Sequence, residues 1–160
     1  MNTFDIHALS SAERFVIWSL RLGLSPQISS EKARSALISG FRAACVSDAL
    51  PHFTEMTETI ATLWYEEQHV PDVHCTCCPC IGKDEWRLVQ AVAALQFRDV
   101  ALAVSYLAEV LPPAGIRSVL HRAMHVAAIL GSVGWTLRCV VHEAANCAAF
   151  HAPGSEPSIH

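Results

Sequence analysis

Seven consecutive residues, His74-Cys75-Thr76-Cys77-Cys78-Pro79-Cys80, hold four of the chain's seven cysteines. Two interleaved C-x2-C pairs, Cys75/Cys78 and Cys77/Cys80, overlap two C-x-C pairs, Cys75/Cys77 and Cys78/Cys80. C-x2-C is the spacing at which two thiolates reach one tetrahedral ion at about 2.3 Å. His74 adds an imidazole at the edge. The first expectation is therefore a closed metal site, zinc by preference, drawing on Cys75, Cys77, Cys78, Cys80 and His74. Adjacent Cys77 and Cys78 tend to point apart, so two or three ligands should come from the turn and one from elsewhere. Cys139, His142 and Cys147, on the last expected helix, are the remote donors within reason; Cys139 and Cys147 also read as alanine-like core residues. An iron–sulfur cluster is less favoured because its usual spacings are longer, and a copper(I) thiolate site stays open.

The second expectation is redox chemistry. Cys77-Cys78-Pro79-Cys80 resembles the thioredoxin-type active-site motif over those four residues, which implies a reactive dithiol at Cys77 and Cys80. The βαβ context of that family is absent. Asp72, Asp84, Glu66 and Glu67 surround the turn in sequence. Negative neighbours raise a thiol pKa but attract a cation, which ranks metal above redox. The plainest alternative treats the cysteines as small hydrophobes. So dense a cluster in a loop argues against it.

Other groups carry less. His121 and His125 share a helical face at i, i+4 but lack the glutamate of a zinc-protease motif, and Arg117 lies one turn before them. Glu66, Glu67 and His69 give a single Glu-x2-His with no second copy. There is no nucleophile elbow and no phosphate-binding glycine loop. Cys45, between Ala44 and Val46, reads as a core residue. The expected role is a binding or regulatory module rather than a catalyst.

The elements that position these residues are helical. Ser10 and Glu13 form a capping box ahead of Phe15, Val16, Trp18, Leu20 and Leu22. A second helix should start at Ser29 or Ser30 and end before Pro51. A third should run from about Phe53 and stop before Pro71. Asp84 and Asp99 should cap the fourth and fifth, the latter ending at Pro112-Pro113. Gly115 to about Leu130 makes a sixth, and Trp135 to Phe150 a seventh. No stretch alternates long enough for a sheet. The expectation is one all-α domain, residues 1–150, a bundle of six or seven helices with a frayed tail at 151–160. Residues 69–83 stand apart as a long loop without periodicity, longer than bundle connections usually are. Something should hold this loop down.

Composition narrows the partners. Hydrophobic residues make up 52% of the chain and charged ones 16%, so an apolar helix face should be shared in a homo-oligomer or with a protein partner. A net charge of −4 argues against nucleic acid, and no apolar run is long enough to span a membrane. The start of the chain has no basic segment leading into an apolar run, so a cytoplasmic protein with reduced thiols is expected. Between Asp48 and Glu85 there are eight acidic residues and one basic residue, Lys83. The cysteine turn lies inside this acidic block.

Overall fold

The computed structural model describes residues 6–24 and 30–142. Among the described residues six complete α-helices form one bundle: α1 (Ser11–Leu24), α2 (Ser30–Ala43), α3 (Leu50–Glu66), α4 (Lys83–Gln96), α5 (Val100–Ala108) and α6 (Pro113–Ser132). Short 3-10 turns precede α1 and α3 at Ile6–Ala8 and Ser47–Ala49. The described residues contain no strand. None of their helices is long and apolar enough to cross a membrane.

Helix α4 forms the centre. Leu88, Val89 and the run Ala91–Leu95 are buried, and α1, α5 and α6 pack around them. Helix α3 lies against α6 and α1, and its Phe53, Met56, Ile60 and Trp64 face the core. The α1 capping box is present: Ser10 N–H donates to Glu13 at 2.7 Å, and Glu13 N–H donates to Ser10 Oγ at 3.2 Å. Asp99 caps α5 by accepting from Leu102 N–H at 3.0 Å.

Helices α2 and α3 end before Pro51 and Pro71 as expected, while the start of α3 and the cap of α4 differ from the sequence expectation. Helix α2 ends at Ala43, and Cys45 takes a left-handed φ of 58° that closes it well before Pro51. Pro51 instead sits in the first turn of α3, where a missing N–H costs nothing. Helix α3 ends at Glu66, short of Pro71, and Gln68 (φ 53°) turns the chain away. The N-cap of α4 is Gly82, not Asp84. A Cβ on Gly82 would overlap the Asp72 carbonyl, so only glycine fits there.

The expected seventh helix does not begin at Trp135. Residues 135–139 run extended, and a helical turn starts at 140. The cause is two glutamines of α4 that pair with this backbone. Gln96 donates to Trp135 O at 2.8 Å and accepts from Leu137 N–H at 2.8 Å. Gln90 donates to Arg138 O at 2.9 Å and accepts from Val140 N–H at 3.0 Å. Backbone groups satisfied in this way gain nothing by entering a helix. The later part of that helix, with Glu143 and Cys147, and the tail at 151–160 lie outside the described residues.

The same extended segment carries Arg138, which binds the fully buried carboxylate of Glu13 at 2.9 Å. Burial alone would raise the Glu13 pKa, but the Arg138 and Ser10 hydrogen bonds outweigh it and hold the carboxyl below its usual value. A depressed carboxylate stabilises the fold above its unfolded pKa of about 4.3, and that stabilisation is lost as pH falls through the folded value. Glu13→Gln should therefore be less stable than the parent at pH 7, by about 1 kcal/mol because Arg138 is half-exposed. The two urea curves should converge below the folded pKa. A constant gap from pH 7 to pH 3 would contradict this.

Candidate functional site

The loop at residues 69–83 is held down by a buried ion pair and its neighbours. Arg21 of α1 is fully buried and directs its whole guanidinium at the loop and at the first turn of α4. Nε and Nη2 donate to the two oxygens of Glu85 at 2.7 and 3.0 Å. Nη1 donates to Cys75 O at 3.1 Å and Cys78 O at 2.6 Å, and Nη2 to Cys80 O at 2.6 Å. Every N–H of the fork is used.

Glu85, equally buried, accepts two more bonds, from His74 N–H at 3.0 Å and Gly82 N–H at 2.8 Å. Asp84 accepts from Asp72 N–H at 2.9 Å and pairs with His69 at 2.9 Å. Asp72 in turn accepts from Lys83 N–H at 2.7 Å. Two acidic residues that sequence reasoning placed against thiol chemistry, Asp72 and Asp84, thus serve as acceptors for backbone amides. The group that orders the loop is Arg21, and sequence reasoning did not find it. One signal was available: a charged side chain set among Leu20, Leu22 and Leu24.

With the backbone clamped from below, the sulfurs project outward. Cys78 N–H donates to Cys75 O at 3.1 Å and closes a tight turn. Cys75 and Cys77 are exposed, and Cys78 and Cys80 are half-exposed. The sulfurs of Cys75 and Cys77 lie 2.9 Å apart. Cys77 thus meets Cys75 rather than Cys80. Two thiolates on one tetrahedral zinc would stand about 3.8 Å apart, given Zn–S bonds of about 2.3 Å. The Cys75 and Cys77 sulfurs stand closer than that, and either could be the donor.

The pair is electrostatically unequal. The Cys77 thiol, the N–H groups of Cys77 and Cys78, and the charge of Arg21 together bring the Cys75 pKa below that of an ordinary thiol. The same contact works the other way on Cys77, whose pKa is raised by donating to Cys75 and by the charge forming there. The contact thus favours the thiolate at Cys75 over that at Cys77.

The remaining candidates do not converge on the turn. His74 lies beside Asp72 at 3.5 Å. Cys139 is fully buried in the core. His142 pairs with Asp99 at 3.2 Å and stacks on Phe97. Cys45, expected in the core, is exposed because the left-handed turn after α2 points it outward. His121 and His125 contact each other edge-on at 4.9 Å, and His52 of α3 stacks on His125 at 4.3 Å. Among the described residues no group of three or more His, Cys, Asp or Glu side chains is arranged to hold a metal ion. No family model, curated protein or solved structure matches this chain.

Proposed function

We propose that the cysteine turn is a thiol–disulfide exchange site in which Cys75 attacks and Cys77 resolves. The observation that carries this reading is the Cys75–Cys77 sulfur contact of 2.9 Å on an exposed turn whose backbone is clamped by Arg21. In the first step the Cys75 thiolate attacks one sulfur of a substrate disulfide. A mixed disulfide forms, the substrate S–S bond breaks, and the leaving thiolate takes a proton from water. Cys77 then loses its proton and attacks Cys75 Sγ. A Cys75–Cys77 bond forms and the second substrate thiolate departs. The substrate gains two electrons and the protein loses two; a dithiol substrate drives the reverse.

Closing the pair moves the sulfurs by less than about 1 Å, from the observed contact to a bond of about 2.05 Å. The backbone on both sides is already fixed. So small a change suits a site that cycles, and suits poorly a sensor that must rearrange on oxidation.

Metal binding is the second reading, favoured by four thiols in one turn. Zinc or copper(I) would require the Cys75 and Cys77 sulfurs to separate and a further donor to approach. Thiol counting distinguishes the two. After mild disulfide oxidant, Cys78→Ser/Cys80→Ser should lose two free thiols, as should the parent, while Cys75→Ser/Cys78→Ser, which keeps Cys77 and Cys80, should lose none from the turn. The reverse pattern would overturn the pairing. Alkylation that is slow until chelator is added would overturn exchange in favour of metal.

A further inference from the structure

The thiol pair stands on an exposed turn. Cys75, Thr76 and Cys77 are all exposed. Two clefts open elsewhere in the molecule: one is lined by Leu22, Leu37, Leu50 and Thr57, the other by Glu58, Thr62, Ser118 and Arg122. Neither touches the turn. A thiol pair so exposed cannot select a small molecule by enclosing it. Selection falls to the surface beside it, and that surface has a definite chemistry.

Two large apolar side chains sit there in water, Tyr65 at 86% and Val70 at 88% exposure. They belong to the end of α3 and the start of the loop, which the His69–Asp84–Asp72 hydrogen bonds tie to the base of the turn. The charges around them do not cancel. Glu85 is matched by Arg21, and Asp84 by Arg87. Glu66 and Glu67 are exposed and form no ion pair among the described residues. Asp72, also exposed, is three residues from Cys75 and so within about 10 Å of it along the chain. Against these stands the single exposed cation of the stretch, Lys83.

Resting on the exchange reading above, we propose that the substrate is a polypeptide disulfide flanked by lysine or arginine, with an apolar side chain laid against Tyr65 and Val70. The attacking thiolate adds to the negative field that such a partner meets. At roughly 10 Å in water a unit charge pair changes the encounter by about twofold, so Asp72 alone gives about twofold and Glu66 and Glu67 add to it. The effect belongs to the approach of the partner, so it appears in the association rate and is removed by salt.

The test uses the full chain, reduced, and three oxidants. Two are synthetic peptides with the same cystine ring, flanked by lysines in one and by glutamates in the other. The third is neutral 2-hydroxyethyl disulfide. At an ionic strength of about 0.01 M the lysine peptide should oxidise Cys75–Cys77 more than about twofold faster than the glutamate peptide, and the gap should close near 1 M, where screening acts within about 3 Å. Glu66→Gln/Glu67→Gln should narrow the gap toward the part left by Asp72 and leave the hydroxyethyl disulfide rate unchanged. Tyr65→Ser/Val70→Ser should slow both peptides and spare the small oxidant. Equal rates for the two peptides would overturn the substrate assignment while the exchange reading stands. A gap that survives Glu66→Gln/Glu67→Gln would overturn the assigned surface. Failure of all three oxidants to link Cys75 and Cys77 would overturn both readings.

Discussion

Arg21→Met should lower the unfolding free energy by about 3–5 kcal/mol, the usual cost of removing one partner from a buried ion pair. The reason lies in what stays behind. Glu85 remains fully buried with its charge unmatched, and the carbonyls of Cys75, Cys78 and Cys80 lose their donor together. Arg21→Lys should recover little, because three donors at one point cannot reproduce a planar fork that serves four separate acceptor groups. Urea unfolding measures the loss directly. In the fraction that stays folded, the loop at residues 69–83 should exchange its amides faster, and alkylation of Cys75 should slow. A variant within about 1 kcal/mol of the parent would show that the clamp is not what orders the turn.

The second large effect concerns reactivity. Cys75→Ser should remove the fast phase of alkylation at neutral pH. An ordinary thiol is only a few per cent thiolate at pH 7, so the remaining cysteines should react more slowly than Cys75. The two substitutions at Cys77 should differ from each other. Cys77→Ala deletes the donor to Cys75 and should move the alkylation midpoint up toward the ordinary thiol range. Cys77→Ser keeps a donor of similar reach and should leave the midpoint low, while abolishing disulfide closure. A fast phase that persists in Cys75→Ser would assign the nucleophile to another residue.

Helical periodicity and capping chemistry made much of the bundle legible. Ser10 with Glu13, and Asp99 ahead of α5, are local signals and were read correctly because each cap is complete within one turn. Pro51 misled because proline both ends and begins helices, and the left-handed turn at Cys45 carries no glycine to announce it. The extended segment after α6 was illegible for a different reason. Its backbone partners, Gln90 and Gln96, are some forty to fifty residues away in sequence. The site divides in the same manner. Its thiols could be located from spacing alone, but not which pair would meet, since four overlapping spacings fit. The acidic neighbours were visible too. What could not be seen is that Asp72 and Asp84 accept from backbone amides and that Arg21, 54 residues before Cys75, lies beneath the turn.

That separation also has a consequence during synthesis. Arg21 leaves the ribosome long before the cysteines it will hold, and the clamp closes only after Glu85, 64 residues later, has emerged. Contacts so distant in sequence form late, after a long segment of chain has been ordered. Until then a charged guanidinium stands on a helix that has nothing to bury it against, and the four thiols of the turn are ordinary, flexible and mutually accessible. The nascent chain therefore passes through a period in which any two of them can pair, and folding of α4 onto α1 is the event that singles out Cys75 and Cys77.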